Sequence, residues 1–378
     1  MRFLLFAIGS GESSQGYAIG RYLVEKKHQV IFALRQDAMV PFYASASFSD
    51  LVVTPTPHAL QELVRKVQPD AILLCNSKTF NDDTAFVESS PWKSIPTFSV
   101  DANWLFEPTG SMRCIQWLDR YFVTFPPDVF ELGLKENGGH FAIPPDVQPR
   151  VEAVGFIPFY QKPDAQEKAR VRQALSIQPH EKLVFCYVSG YGASVRGFVL
   201  QGVLSAVSQL RKKGREIKVF AAGQLDCIQT HPSCDADWLV RHGQTAIDDF
   251  YAHVASADLV FQHQGLITIA QAISAHVPII ANIEGLFDVD GSLRLEIGEV
   301  LPLQRAGLCH FFFKQSNLCE VQNTIEALLY DEREICKIQQ AQRNYCSSGE
   351  QCLYNAIMAY LSSHSRQTDY AANAFISR

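Results

Sequence analysis

The 378-residue sequence lacks the features that mark several large classes of protein. It contains no run of the roughly 18 apolar residues that a membrane-spanning helix needs. Its net charge of -6 argues against a nucleic-acid-binding protein that works through a broad basic surface. The apolar start, "MRFLLFAIG", is too short for a signal peptide and passes directly into "SGESSQG", so it predicts a strand and a turn. With 47% hydrophobic residues the chain can bury large cores, and its length favours two α/β domains.

Cysteine pairs with a metal-binding or redox spacing are also missing. None of the ten cysteines forms a Cys-x-x-Cys pair, and several lie inside apolar runs such as "AILLC" and "LVFCYV". Buried free thiols in a reducing cytoplasm explain this pattern better than disulfides or a zinc site. The first turn lacks the three glycines of a Gly-x-Gly-x-x-Gly dinucleotide site. Apart from "DVD" at 288–290, the sequence has no Asp-x-Asp pair in a loop that resembles a metal site. We therefore expect no metal, and we expect no other cofactor.

The sequence does contain a regular alternation of strand-like and helix-like segments. Apolar runs bounded by turn residues predict strands, and apolar residues three or four positions apart predict helices. The strands predicted in the first half are 3–8, 29–34, 71–75, 97–100, 120–124 and 152–156. Helices are predicted between them around Ile19 and Leu63. This series is typical of a parallel sheet with helices on both faces.

The same pattern begins again after residue 166. The strands predicted there are 182–188, 217–223 and 258–262. We therefore predict two Rossmann-like domains in series, 1–158 and 166–345, followed by a C-terminal helix and polar tail over 346–378. The tail from residue 362 has a composition that gives little reason for ordered structure. Ligand is expected between the two domains, at the carboxyl ends of the strands.

The stretch "DLVFQHQGLITIAQAISAHVP", residues 258–278, predicts a place for an anion. An apolar strand is followed by His263, Gly265 permits a tight turn, and Thr268 stands where a helix N-cap is expected. Apolar residues at helical spacing follow, and Pro278 ends the helix. This order directs free backbone N–H groups and the positive end of a helix dipole above the strand. Such turns are also frequent in ordinary α/β domains, so the geometry alone leaves both readings open.

This stretch resembles the donor-binding signature of GT-B glycosyltransferases, which include bacterial peptidoglycan N-acetylglucosaminyltransferase, antibiotic glycosyltransferases and plant UDP-glycosyltransferases. In that signature a His-x-Gly turn meets the diphosphate, a Ser or Thr caps the helix, and an acid three positions later grips the ribose. His263, Gly265 and Thr268 fit, but Gln271 replaces the acid and can hold a ribose diol only through neutral bonds. The Gly-rich turn "VSGYGAS" and the segment "AIDDFYAHVASADLVF" match the family in order. The resemblance covers nearly the whole chain, most strongly 180–280.

The resemblance implies a donor site on the C-terminal domain. Its donor-binding residues would be Gly190, Gly192, Ala193, Gln244, Ile247, His263, Gln264, Gly265, Thr268, Gln271 and Asp288. His263 would contact the diphosphate and Asp288 would hold sugar hydroxyls, although Val289 replaces the glutamine that usually follows. The alternative is that neither residue contacts the donor. A histidine beside an apolar strand is more often a structural side chain, and Asp288 would then be a turn residue.

The resemblance also implies a catalytic base in the first turn of the N-terminal domain. Relatives carry His there, or Asp in some antibiotic glycosyltransferases, and alignment on Gly11 brings Glu12 to that position. A carboxylate in a closed cleft can have its pKa raised and take the proton of an acceptor hydroxyl. The alternative is an acid at a helix start, which the dipole favours. Acceptor contacts are expected from Gly11, Ser13, Asp101 and Asn103.

Together these features predict an inverting glycosyltransferase that moves a sugar from a nucleotide diphosphate donor, UDP in the simplest case, to a hydroxyl group. The acceptor would be a small molecule or lipid-linked, and a lipid-linked acceptor implies peripheral membrane contact. Two alternatives stay open. A sugar-nucleotide 2-epimerase of the same fold needs additional acid/base carboxylates in the cleft. A noncatalytic sugar-nucleotide-binding or partner subunit is favoured by Gln271 and by the missing Asp-Gln pair.

Overall fold

A computed structural model describes residues 1–7, 10–35, 48, 50–54, 56–75, 94–102, 117–136, 143, 145–158, 161–188, 193–243, 245–285, 295–345 and 348–376. Within these residues, the chain forms two parallel sheets with helices packed against them. The α/β class and the two Rossmann-like units in series are therefore confirmed.

The first sheet has seven strands. They are β1 (Arg2–Ala7), β2 (Gln29–Leu34), β3 (Asp50–Val53), β4 (Ala71–Cys75), β5 (Thr97–Asp101), β6 (Arg120–Val123) and β7 (Val151–Ala153). Their order is β3-β2-β1-β4-β5-β6-β7. Helices α1 (Ser10–Glu25), α2 (Pro57–Val67) and α3 (Pro127–Glu136) follow β1, β3 and β6. The strand order reverses between β1 and β4, and ligands of such sheets bind at the carboxyl ends on either side of that point.

The second sheet has six strands. They are β8 (Lys182–Val188), β9 (Ile217–Gly223), β10 (Leu239–His242), β11 (Leu259–His263), β12 (Ile279–Ile283) and β13 (His310–Phe313), in the order β10-β9-β8-β11-β12-β13. Its helices are α4 (Ala165–Ala174), α5 (Ala193–Lys212), α6 (Ile247–Ser256), α7 (Leu266–Ala275), α8 (Leu295–Arg305) and α9 (Leu318–Tyr330). Here the reversal lies between β8 and β11, so α7 begins beside it.

Continuous apolar runs explain why the central strands were predicted well. β4 and β11 are buried at every position, as parallel strands covered by helices on both faces must be. β3 was not predicted, because Asp50–Val53 is a short, partly exposed strand at the sheet edge. β10, β12, β13, α3, α4 and α8 were also not predicted, and β11 lies one residue later than expected.

The C-terminal helices return to the first sheet. After α10 (Glu332–Asn344), α11 (Gly349–Ile376) packs with Tyr354 against His28, whose Nε2 lies 3.2 Å from the tyrosine hydroxyl. A Cβ at Gly349 would overlap the carbonyl oxygen of Phe156, so this close approach requires glycine. The unordered tail predicted from residue 362 is wrong: neither glycine nor proline follows Gly349, and the helix continues to Ile376. None of the described helices is both long enough and apolar enough to cross a membrane.

The rate at which each cysteine reacts with a thiol reagent should follow how far that cysteine is exposed. Burial raises the pKa of Cys186, and that of Cys309 to about 12, while Cys319, Cys336 and Cys352 are exposed. The buried thiols are protonated and inaccessible at neutral pH, so we expect Ellman's reagent to label the three exposed cysteines well before Cys186 and Cys309. Peptide mass spectrometry after timed labelling identifies the sites, and labelling in denaturant is the control. Early labelling of Cys186 would contradict its burial.

Candidate functional site

The first turns of α1 and α7 face each other. A Cβ added at Gly11 in α1 would lie 3.5 Å from Cγ1 of Ile267 in α7. The first N–H groups of any helix lack intrahelical partners, and the helix dipole is positive at that end. Two positive helix ends therefore meet where the carboxyl ends of β1 and β11 lead into the two helices.

Helix α7 begins earlier than the sequence predicted. Its N-cap is Gly265, in an extended conformation, and none of the side chains in the described part of the chain caps the helix. Thr268 lies inside the first turn and is buried, so its assignment as the N-cap is wrong. The turn is held instead by Gln262, whose Nε2 donates to the carbonyl oxygen of Gly265 at 3.0 Å. An uncapped helix start leaves its first N–H groups for an anion, which suits the predicted diphosphate site.

His263 forms a hydrogen-bonded pair with a carboxylate. Its Nε2 lies 2.9 Å from Oε2 of Glu284, and the side chains are 5% and 23% exposed. The register of β11 with β12 explains this pair: His263 lies opposite Asn282, and Glu284 is two residues further along the same face. The predicted diphosphate contact stays a prediction, and it requires this ring nitrogen to exchange its carboxylate partner for a phosphate oxygen.

Gln264 is used inside the C-terminal domain. Its side-chain amide donates to Oε2 of Glu299 in α8 at 3.2 Å, and its backbone N–H donates to the carbonyl of Asn282 at 3.0 Å. Both Gln264 and Glu299 are almost fully buried. These bonds connect the turn before α7 to β12 and α8. Gln264 therefore stabilises the conformation of this turn.

Gln271 faces the segment between the two sheets. Its side chain has no exposed surface, and Nε2 donates to the carbonyl oxygen of Pro158 at 3.3 Å. Within the described part of the chain, Oε1 has no hydrogen-bond partner. Lys162 makes a second link from the same segment, with Nζ 2.7 Å from the carbonyl oxygen of Ser274. The predicted ribose contact therefore requires Gln271 to leave a buried position.

Two carboxylates lie near one thiol in the N-terminal domain. Cys75 ends β4, and Asp101 follows the residue paired with it in β5. Burial, and then the negative charges of Asp101 and Glu12, raise the pKa of the Cys75 thiol. Asp101 is 3% exposed and accepts a hydrogen bond from Oγ of Ser99 at 3.0 Å, whereas Glu12 is partly exposed in the first turn of α1. The predicted base and one predicted acceptor residue thus both act electrostatically on the Cys75 thiol.

The other predicted residues divide into three groups. Ser13 is fully buried, so its hydroxyl does not reach solvent in this arrangement. Ala193 begins α5, and Ile247 begins α6 as part of the hydrophobic core. Five predicted residues lie outside the described residues: Gly190, Gly192, Gln244, Asp288 and Asn103.

Sequence reasoning missed the contacts across the domain boundary. The hydroxyl of Tyr17 in α1 lies 3.2 and 3.3 Å from the two carboxylate oxygens of Asp248 in α6. The hydroxyl of Tyr251, also in α6, donates to the carbonyl oxygen of Ser14 at 3.2 Å. These pairs are more than 200 residues apart in sequence, and no local pattern identifies them.

This chain is similar to known proteins in its fold but not in its sequence. No protein-family model matches the sequence, and no curated protein matches it either. Solved structures match nearly the full length: UDP-GlcNAc 2-epimerase from Neisseria meningitidis bound to UDP-GlcNAc has a TM-score of 0.67 at 13% identity, covering 95% of this chain and 100% of that one. The MnaA–UDP structure from S. aureus has a TM-score of 0.66 at 14% identity, covering 96% and 97%. MurG from Acinetobacter baumannii has a TM-score of 0.59 at 13% identity, covering 95% and 99%.

The chain has the GT-B fold. The resemblance seen in the sequence is confirmed at this level. Because each identity is far below a quarter, the matches establish the arrangement of the two α/β domains and leave the reaction to the chemistry of the site.

Proposed function

We propose that this GT-B protein is an enzyme that transfers a sugar from a nucleotide diphosphate, with UDP as the expected nucleotide, to an acceptor hydroxyl. The diphosphate binds at the uncapped start of α7, where backbone N–H groups and the helix dipole stabilise the leaving group without a metal. Glu12 takes the proton of the hydroxyl as it attacks, and the configuration at the sugar carbon inverts.

One observation carries this proposal: the helix start that suits the diphosphate lies against the helix turn that holds Glu12. A side chain at Gly11 would reach within 3.5 Å of Ile267. Because the base and the anion site lie this close on opposite domains, one can act on the attacking hydroxyl while the other holds the leaving diphosphate. The neighbours support a nucleotide-sugar ligand, since one is a complex with UDP and another a complex with UDP-GlcNAc.

A 2-epimerase is the second candidate, and a specific observation favours it. Such an enzyme needs more than one acid/base carboxylate in the cleft, and both Glu12 and Asp101 act electrostatically on Cys75. Two carboxylates can divide acid and base roles between them when their surroundings differ. Asp101 is buried and hydrogen-bonded while Glu12 is partly exposed, so their surroundings do differ.

Nucleotide binding should not need a divalent metal. We expect UDP to bind with the same Kd in EDTA and in excess magnesium, because the proposed phosphate ligands are backbone N–H groups. Isothermal titration calorimetry under the two conditions measures this, with uridine as the control that lacks phosphate. Binding only in the presence of magnesium would contradict the helix-start site.

Product analysis distinguishes the reactions. UDP-GlcNAc is incubated with the protein alone, and then with p-nitrophenol, methyl glucoside or a prenyl-diphosphate-linked sugar, and products are followed by NMR. Transfer predicts UDP release that depends on an acceptor, with an inverted glycoside as product. A change at the sugar C2 without acceptor identifies an epimerase. UDP binding with no turnover of any UDP-sugar supports the noncatalytic alternative.

A further inference from the structure

The contacts between α1 and α6 form a pair of bridges with matching spacing. Asp248 and Tyr251 are three residues apart on α6, and Ser14 and Tyr17 are three residues apart on α1. Side chains at this spacing share a helix face, so Asp248 and Tyr251 face α1 together, and α1 offers them the Tyr17 hydroxyl and the backbone carbonyl of Ser14. Tyr17 meets the carboxylate of Asp248, and Tyr251 meets the carbonyl oxygen of Ser14.

We infer that Tyr17, Asp248 and Tyr251 are positioning residues that hold the first turn of α1, and with it Glu12, against the nucleotide-binding domain. The inference rests on the proposed function, because it assigns a consequence to the position of Glu12. Ser14 lies two residues after Glu12 in the same helical stretch, so the bond from Tyr251 acts almost directly on the turn that carries the base.

Burial indicates that these hydroxyl groups are fixed. Tyr17 and Tyr251 are 1% and 3% exposed, and a buried tyrosine hydroxyl is costly without a partner. The Tyr17 hydroxyl lies 3.2 and 3.3 Å from the two carboxylate oxygens of Asp248, an exposed residue, so it contacts both oxygens at distances longer than the roughly 2.5 to 2.7 Å of a strong charge-assisted bond. The rings themselves are held separately: that of Tyr17 packs edge-on against Phe48 within its own domain, at 5.9 Å between centroids, and that of Tyr251 belongs to the hydrophobic core. Removing only the hydroxyl therefore breaks the bridge and leaves the ring in place.

The location of α6 gives the bridges a connection to the ligand. Helix α6 (Ile247–Ser256) lies within "AIDDFYAHVASADLVF", residues 246–261, which resembles the loop and helix that contact the nucleotide base in GT-B glycosyltransferases. A nucleotide bound by this segment contacts the element that carries Asp248 and Tyr251. The bridges connect that element to α1, so Glu12 is in place only when the two domains lie together.

The test uses Tyr17→Phe, Tyr251→Phe and the double variant in the full-length protein. Small-angle scattering without nucleotide measures domain separation, and we expect a larger radius of gyration for the double variant than for the wild type. With UDP-sugar turnover as the assay, we expect kcat to fall about tenfold for each bridge while the Kd for UDP changes less than about twofold.

Tyr330→Phe is the matched control. It removes a tyrosine hydroxyl that donates to a backbone carbonyl, that of Glu216 at 3.1 Å, but both groups lie on the C-terminal domain. Its radius and kcat should equal those of the wild type. An unchanged radius for the double variant overturns the inference, and so does a larger radius with full kcat. A wild-type protein that binds no nucleotide or turns over no UDP-sugar contradicts the proposed function instead, and scattering then still decides whether the bridges hold the domains.

Discussion

Glu12→Gln should lower kcat by about 10² to 10⁴ and leave the Kd for UDP nearly unchanged. Glutamine keeps the size of the side chain and cannot accept the proton of the attacking hydroxyl. Glu12 belongs to the N-terminal domain, and the proposed phosphate ligands lie on α7 of the other domain. The measurement combines steady-state kinetics with calorimetry of UDP binding.

Two variants make this result specific. Glu25→Gln makes the same change in the last turn of the same helix, at an exposed position, and should leave kcat unchanged. Asp101→Asn tests the neighbouring carboxylate, which shares the surroundings of Cys75 with Glu12. If Glu12→Gln retains the parental rate and Asp101→Asn loses it, then Asp101 is the base. If Glu12→Gln fails to fold, Glu12 serves the helix start, as the alternative reading of the sequence has it.

Gln271→Glu should destabilise the protein, and more so as the pH rises. The side chain has no exposed surface, and its amide donates to Pro158, so a carboxylate there would lose both water and its donor role. Burial raises the pKa of such a glutamate in the folded state only. The unfolding free energy of the variant relative to wild type should thus fall by about 1.4 kcal/mol per pH unit above the normal glutamate pKa of about 4.3, until the raised pKa is reached.

Chemical denaturation at about pH 5 and about pH 7.5 measures this effect, which amounts to about 2 to 3 kcal/mol between these pH values if burial raises the pKa by about 2 to 3 units. Gln339→Glu is the matched control. Like Gln271, Gln339 donates its side-chain amide to a backbone carbonyl, here that of His276 at 3.1 Å, but Gln339 is only half-buried. Its carboxylate stays hydrated, and the loss should depend little on pH. A Gln271→Glu variant with full stability and tighter UDP binding would instead place this side chain in the cleft, as the family signature implies.

Local sequence determined much of the architecture. Continuous apolar runs at Gln29–Leu34, Ala71–Cys75 and Lys182–Val188 predicted strands at their exact bounds, because a strand buried on both faces admits few polar residues. The alternation of such runs with helical patterns then implied parallel sheets. Short edge strands such as Asp50–Val53 were not predictable in this way, since their stability comes from the neighbouring strand.

For the site, the sequence located the strand-to-helix turns to within a few residues, and this placed His263, Gly265 and Glu12 at the carboxyl edges of the two sheets, although the N-cap of α7 is Gly265 and not Thr268. Only the tertiary structure decided which atoms those side chains meet. It pairs His263 with Glu284 through strand register, turns Gln271 toward Pro158, and joins Tyr17 to Asp248 across more than 200 residues. The physical reason is range: backbone propensity and apolar periodicity act over a few residues, whereas a buried polar group is satisfied by whichever partner the packing of distant elements brings to it.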